Sequence, residues 1–517
     1  MKKIFASLAI LFVCITSSAF AEEIVQLKIP KSGKATIRFV FRNGSISDPA
    51  GKEGLTALTA DMVVESGTKK MTSTEIRKLI YPWAAQMSSF TDKEVSVFTF
   101  EVPTKHLQQF YSTVVKELLL HPAMDKNDFD RLLSNQKNYV EQVIRQSSDE
   151  EYGKKYLEEM IFSATPYSHL NEGSVSSLTS ITLEDVNRQY AQMFNRNNVM
   201  IGVAGDYPES LLLQLKSDMN MLPDAKPAIP KLIAPAMPDG ITVDIISKQG
   251  ALGSAISAGF PMNLTRANND FAALMVANSW LGEHRKSYSR LYQKIREARS
   301  MNYGDYTYIE WYQNGGANML PVAGTPRSMN YFSIWLRPVQ TAKGLKGQYP
   351  ELSEIKIGHA HFALRMAIRE MNELIQNGLS EADFQNTRDF LKSYSKLYIE
   401  TPAKKLGYLM DSRFYGRTDW ITELDGLLSK LTVGDVNAAM KKYWQVKNMK
   451  IAIITDESEA NALAESLRTN SPSPMSYSNS LKSSLPESIL GEDSIVSAFP
   501  LIIKEVRVMN SDATFHK

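Results

Sequence analysis

The feature that most constrains this chain is that it repeats itself. Residues 181–207 (ITLEDVNRQYAQMFNRNNVMIGVAGDY) align without a gap on residues 431–457 (LTVGDVNAAMKKYWQVKNMKIAIITDE), 250 positions later. Thr182/Thr432, Asp185/Asp435, Val186/Val436, Asn187/Asn437, Asn198/Asn448, Ile201/Ile451 and Asp206/Asp456 are identical pairs. Both copies read as a Thr at a helix N-cap, an amphipathic helix, an Asn-containing turn and an apolar strand. Upstream, Asp128-Phe129 and Asp383-Phe384 each begin a long helical pattern, with Tyr139 and Tyr394 at matching places. Two echoes in the same order predict a duplicated module of about 230 residues.

The remaining signals place the boundaries. At 517 residues the chain is too long for one core. Residues 224–238 (DAKPAIPKLIAPAMP) hold four prolines and no strand or helix period, so they read as a semi-rigid linker between modules at 22–223 and 239–469. Residues 35–41, 95–102, 199–203, 241–246 and 332–336 read as strands, and residues 107–120, 126–145, 359–376 and 381–398 as helices. Strands separated by runs of helices predict α+β modules, each a mainly antiparallel sheet with helices packed on one face. The tail, 470–517, opens Ser/Pro-rich and reads as flexible. It then recovers an alternating apolar stretch at 501–508 that predicts a strand docked on the body or on a partner.

The N-terminus predicts export. Lys2 and Lys3 precede an apolar run from Ile4 to Ile15, and Ala19-Phe20-Ala21 forms a cleavage-type site before Glu22 and Glu23. Residues 1–21 therefore read as a secretory leader and the product as periplasmic or secreted. The only cysteine, Cys14, falls within that leader, which leaves no thiol for a disulfide, a metal or a nucleophile. Removing two lysines from a formal charge of +2 brings the chain to neutrality, so no electrostatic footprint for nucleic acid is expected. No later segment is apolar for eighteen residues, which excludes an integral membrane contact by a helix.

One segment carries a resemblance. Residues 54–62 (GLTALTADM) followed by Glu65-Ser66-Gly67-Thr68 have the context of the inverted-zinc HxxEH motif, typically G-L-A-H-F-L-E-H-M with a downstream F-x-G-T. With the order of elements over nearly the whole mature chain, this resembles the pitrilysin/insulinase family of metallopeptidases, which includes the mitochondrial processing peptidase. The departure is informative. Ala57 stands at the first His, Ala60 at the general-base Glu and Asp61 at the second His. Catalytic zinc needs three protein ligands, an open position and a carboxylate to deprotonate its water. The resemblance places the family's distal Glu ligand near Glu141, and Ser88-Ser89 where the family has Asn-Ala beside the metal. Asp61 with Glu141 is not a zinc site, so residues 55–64 read as an ordinary amphipathic structural helix. His106, His121, His169, His284, His359, His361 and His516 form no HxxxH or HxxEH, and His359 and His361 point apart on one predicted helix. They read as scattered surface or capping histidines.

The second module keeps more of the family. Residues 289–297 (SRLYQKIRE) resemble its S-R-L-x-x-x-L-R-E, and Tyr303 follows Arg296 by seven positions. The turn before it, residues 282–288, is longer and more charged than the family's glycine-rich one. In active members an Arg and a Tyr at this spacing reach toward the zinc half and hold the substrate peptide. Arg supplies forked donors to a carbonyl or carboxylate, and a Tyr hydroxyl can donate to an oxyanion. The resemblance thus implies a subunit without its own cofactor, contacting peptide through Arg296 and Tyr303, with zinc in an HxxEH-bearing sibling. A stand-alone peptide-binding or chaperone-like protein and a structural subunit like a respiratory-complex core protein are the other readings. The Arg–Tyr pair counts against the structural reading, as does export.

Overall fold

The computed structural model describes residues 24–311, 320 and 322–515, so the leader with Cys14, and His516, lie outside the described residues. The first module forms β1 (Ile24–Lys28), β2 (Lys34–Phe41), β3 (Gln86–Thr91), β4 (Ser96–Pro103) and β5 (Val199–Gly205), in the order β1-β5-β2-β4-β3. The second forms β6 (Ile241–Lys248), β7 (Gly253–Met262), β8 (Asp305–Tyr308), β9 (Asn330–Gln340) and β10 (Lys450–Asp456), in the order β6-β10-β7-β9-β8. Strand for strand these are the same sheet. β1 runs parallel to β5 and β6 parallel to β10, and every other pair within these ten strands is antiparallel. An added strand, β11 (Ile503–Asn510), lies parallel on the free edge of β6.

The repeated sequence makes repeated local chemistry. Thr182 and Thr432 each close a capping box: the hydroxyl accepts from the Asp185 or Asp435 amide at 3.2 Å, and that aspartate accepts from the threonine amide at 3.0 Å or 2.9 Å. Reciprocal satisfaction of two orphan donors is what makes this spacing a helix start. Residues 224–238 form neither helix nor strand.

Helices cover one face of each sheet from within its own module. The other face is not bare. The helix Asp149–Ile161 of the first module packs on β7, β9 and β10, and the helix Pro402–Phe414 of the second packs on β1 and β5. Leu157 and Met160 meet Tyr331 and Ala452 on one side of this exchange. Leu406 and Met410 meet Val25, Val40 and Met200 on the other. Backbones approach closely: a Cβ on Gly202 of β5 would lie 2.5 Å from Met410 Sδ, and one on Gly407 would lie 2.5 Å from an Arg38 nitrogen.

A buried ionic knot locks the exchange. Arg327, just before β9, grips Asp92 of the β3–β4 turn with Nε and Nη2 at 2.7 and 2.6 Å, and its Nη1 meets Glu158 of the crossing helix at 2.9 Å. Glu158 also takes Lys93 at 3.1 Å and the Tyr331 hydroxyl at 3.2 Å, and Trp311 stacks 4.0 Å from the Arg327 guanidinium.

The tail departs from its flexible reading. Buried Arg365 has no carboxylate at hand; it donates instead to the carbonyls of Ser471 and Ser497 and the side chains of Ser473 and Asn470, at 2.7–2.8 Å. A helix, Glu487–Ala498, and β11 follow. The chain then returns to the first module, where Arg145 donates to the Thr514 carbonyl and Phe515 is buried against Tyr152 and Tyr156. Ser/Pro-rich composition marks weak intrinsic structure but does not register a distant arginine that satisfies its carbonyls.

Removing one partner of a buried ion cluster leaves the others unpaired, so Arg327→Met should cost about 3–5 kcal/mol by urea unfolding at pH 7. Burial alone would raise the Glu158 pKa, but Arg327 and Lys93 outweigh it and hold it at about 2, below the ordinary 4.5. A depressed carboxylate stabilises fully above its ordinary pKa and loses that contribution as pH falls through the folded value. Wild type should therefore weaken between pH 4.5 and pH 2, a slope that urea midpoints measured across this range should find reduced in Arg327→Met.

Candidate functional site

The motif helix runs Leu55–Glu65. Gly54 starts it at φ 93°, where a Cβ would lie 2.5 Å from the Glu172 carbonyl, so glycine is required. The Asp48 carboxylate caps it, accepting from the Gly54 and Thr56 amides at 2.7 Å each. Burial raises Asp48 to about 7 against these bonds. The helix is buried nearly all round rather than amphipathic, because β3, β4 and neighbouring helices enclose it. Only Ala57, Asp61 and Glu65 are half-buried, at i, i+4 and i+8 along one stripe.

That stripe is where the two imidazoles of a zinc site would stand. Ala57 offers no donor atom. Ala60, at the general-base position, is 1% exposed and belongs to the core. Asp61 Oδ1 accepts from Ser89 Oγ at 2.6 Å across to β3, the free outer strand of the first sheet. Burial, with repulsion from Glu65 and Glu172, raises Asp61 to about 6 although the Ser89 bond lowers it. Glu141 lies on the π-wound stretch Tyr139–Ser147 and is exposed. The buried face of that continuous helix carries Phe129, Leu132, Gln136 and Val140, and Gln136 donates to the Gly54 carbonyl at 3.0 Å. Glu141 is one residue beyond Val140, roughly 100° around the axis. Among the described residues no three His, Cys, Asp or Glu side chains are grouped to hold a metal. The donor set does not fit zinc.

A cavity of about 560 Å³ remains along β3, lined by Asp61, Glu65, Arg77, Ile80, Ser89 and Glu101. Glu65 is drawn aside to Arg131 at 3.3 Å, which also pairs with Asp128 at 2.9 Å.

Arg296 lies in another π-wound turn, Tyr292–Glu297. Its guanidinium is 3.7 Å from Glu297 and 6.0 Å from the Tyr292 ring. Tyr303 follows on a short loop and is 77% exposed. It lines a separate cavity of about 650 Å³ with Lys248, Leu252 and Arg337. This cavity and the Asp61 cavity share no lining residue, so the chain does not bring Tyr303 to the motif helix. The histidines do not substitute. His359, His361 and His284 are buried rather than on the surface, bonded to the Ser476 carbonyl, Ser466 Oγ and Tyr308 hydroxyl at 2.9, 2.8 and 2.7 Å. Asp48 and the Asp61–Ser89 bond were not singled out in the sequence reading; the Asp seven positions before the motif leucine was the available signal.

The fold and the altered motif define a peptidase-fold protein without its metal donors, and comparison with known proteins names the family. The profile for insulinase (peptidase family M16) matches residues 23–173, and that for the peptidase M16 inactive domain matches residues 180–334. The chain belongs to this family. The non-peptidase homolog YmxG of Helicobacter pylori is 23% identical over 473 residues, 88% of this chain and 99% of that protein. A peptidase M16 inactive domain from Pseudomonas fluorescens shares the fold with a TM-score of 0.70 at 20% identity, covering 85% of this chain and 97% of the other. The periplasmic protease PqqL of Escherichia coli does so with a TM-score of 0.62 at 16% identity, covering 83% of this chain and 44% of the other. With alanine at the first histidine and at the general-base glutamate, and aspartate at the second histidine, this member's motif lacks the residues that hold and use a catalytic zinc.

Two measurements check the site. After incubation with equimolar zinc and gel filtration, metal analysis should find none retained; Ala57→His/Ala60→Glu/Asp61→His should bind zinc only weakly, because position 60 is core and Glu141 is exposed, off the face that packs on the motif helix. Stoichiometric tight zinc in the wild type would contradict the donor argument. An acid raised in the fold destabilises as pH rises from its ordinary 3.8 to about 6. Asp61→Asn should therefore match wild type below pH 3.8 and be more stable above pH 6 by on the order of 1 kcal/mol.

Proposed function

We propose that the chain is the non-catalytic, substrate-contacting half of a two-chain zinc peptidase acting on peptides in the periplasm or outside the cell. The observation that carries this is the separation of the two half-sites. The motif helix lacks the two imidazoles, whereas Arg296 and Tyr303 reach the surface on a segment that resembles the family's S-R-L-x-x-x-L-R-E, with Ile295 at the second leucine. A homodimer would bring two Arg–Tyr pairs and no metal. An HxxEH-bearing sibling would supply the metal, and this chain would supply a forked cation and a hydroxyl for the peptide. Among the described residues no helix is long and apolar enough to cross a membrane.

A second reading has its own support. The cavity along the free edge of β3 offers unpaired backbone groups beside Asp61 and Ser89, the arrangement by which an extended peptide adds a strand. The chain would then bind peptides without a proteolytic partner.

The test is to purify the chain from its source, identify co-purifying proteins by mass spectrometry, and reconstitute it with an HxxEH-bearing one. Arg296→Ala and Tyr303→Phe should assemble and melt like wild type yet cleave a fluorogenic peptide about a hundredfold more slowly. Unchanged cleavage with Tyr303→Phe removes the hydroxyl from the mechanism. A sibling fully active alone favours the stand-alone reading.

A further inference from the structure

The tail helix Glu487–Ala498 lies outside both family profiles and rests against the segment that carries Arg296. Glu492 accepts from Lys294 Nζ at 2.5 Å and from Arg299 Nη2 at 2.9 Å. Asp493 accepts from Arg299 Nε at 2.7 Å and from the Tyr477 hydroxyl at 2.7 Å. Arg299 is 1% exposed, and its Nη1 donates to the Lys294 carbonyl at 2.6 Å. Lys294 and Arg299 therefore bracket Arg296 on both sides, and two adjacent tail carboxylates hold both.

The bracketed stretch is the π-wound turn Tyr292–Glu297. π-winding is rare, is mostly confined to a single turn and is frequent at functional sites. This chain has it also at Tyr111–Val115 and Tyr139–Ser147, and among the described residues only the turn at Tyr292–Glu297 is held by the tail carboxylate Glu492. Relaxation to an α-turn would rotate the later side chains about the axis. Arg296 has little of its own to resist this, since its carboxylate neighbour Glu297 is 3.7 Å away and adjacent in the chain. The turn runs directly into the loop to Tyr303, where the Ser300 amide donates to the Arg296 carbonyl at 2.8 Å. Displacing one end displaces the other.

We propose that Glu492 and Asp493 are positioning residues: through Lys294 and Arg299 they hold the π-wound turn and so aim Arg296, and with it Tyr303, at a bound peptide. The proposal rests on the reading of Arg296 and Tyr303 as peptide contacts. The tail is then a built-in clamp on the substrate-contacting segment.

The experiment uses the full chain with Glu492→Gln/Asp493→Asn, which keeps shape and removes charge, alone and combined with Arg296→Ala. In the free chain, hydrogen exchange by mass spectrometry should show faster exchange over residues 289–304, with the first sheet unchanged. Paired with the HxxEH sibling and a fluorogenic peptide, the double variant should lose on the order of tenfold in kcat/KM, as a small misplacement of a substrate-holding group does. On the Arg296→Ala background it should lose nothing further, because the clamp acts through Arg296. Unchanged exchange over 289–304 overturns the proposal, and so do losses that simply add, which would mark a general stability effect. If the wild-type chain leaves the sibling's kinetics untouched, the function proposed above fails, and the exchange result alone decides whether the tail holds the turn.

Discussion

Everything in this chain depends on an exchange of helices between its two halves. A sheet has two faces, and each module supplies enough helix to cover only one of them. The helix Asp149–Ile161 leaves the first module to cover the second sheet, and Pro402–Phe414 does the reverse. Neither sheet can bury its second face without the other module, so the two cores form together. The exchange is duplicated down to its chemistry. Gly153 and Gly407 sit 254 positions apart, one on each crossing helix, where the helix backbone meets the opposing sheet. Each crossing helix also carries a buried carboxylate paired with a buried arginine at 2.9 Å, Glu158 with Arg327 of the other module and Asp411 with Arg266 of its own. A carboxylate left unpaired at such a place would cost more than its partner contributes, which keeps the pair together or loses it entirely.

The same logic explains how the motif helix outlived its chemistry. Asp48, Gly54 and Gln136 hold its start, and eight of its eleven residues are buried. None of these contacts involves a metal donor. The helix therefore stands without the imidazoles and the glutamate, and alanine at position 60 packs into the core. Within the helix, Asp61 is a carboxyl pushed up by burial and bonded by Ser89.

Much of this was legible in the sequence, and the reasons for the rest are specific. The repeat, the capping threonines and the strands β2, β4, β5, β6 and β9 follow from periodicity and cap chemistry. β7 (GSAISAGFPM) shows no alternation because it is buried on both faces by the helix exchange. β8 has four residues, all buried, too few to carry a period, and in β3 (QMSSFT) the strand-favouring residues are confined to Phe90 and Thr91 at its end. The altered zinc motif was visible at once, because absent donor atoms are a statement about residue types. The placement of Glu141 was not: a π-wound stretch shifts the face that later residues present, and spacing rules assume an unbroken α-helix. The glycine pair at 153 and 407 was present in the sequence and would have pointed to the crossing helices.

The tail is where the duplication breaks. β6 has β11 on its outer edge, whereas its counterpart β1 ends the first sheet. On the way to β11 the chain lays its acidic helix on Lys294 and Arg299, and afterwards it buries Phe515 in the first module beside Tyr152. A single segment thus touches the turn that carries Arg296 and the start of the crossing helix that the first module sends out. The symmetric part of the fold gives both halves equal support. The asymmetric part adds contacts at the edge of β6, at the start of the crossing helix and at the turn that carries Arg296. The tail thus ties the turn that carries Arg296 in the second module to the crossing helix of the first, a connection that neither copy of the repeat makes by itself.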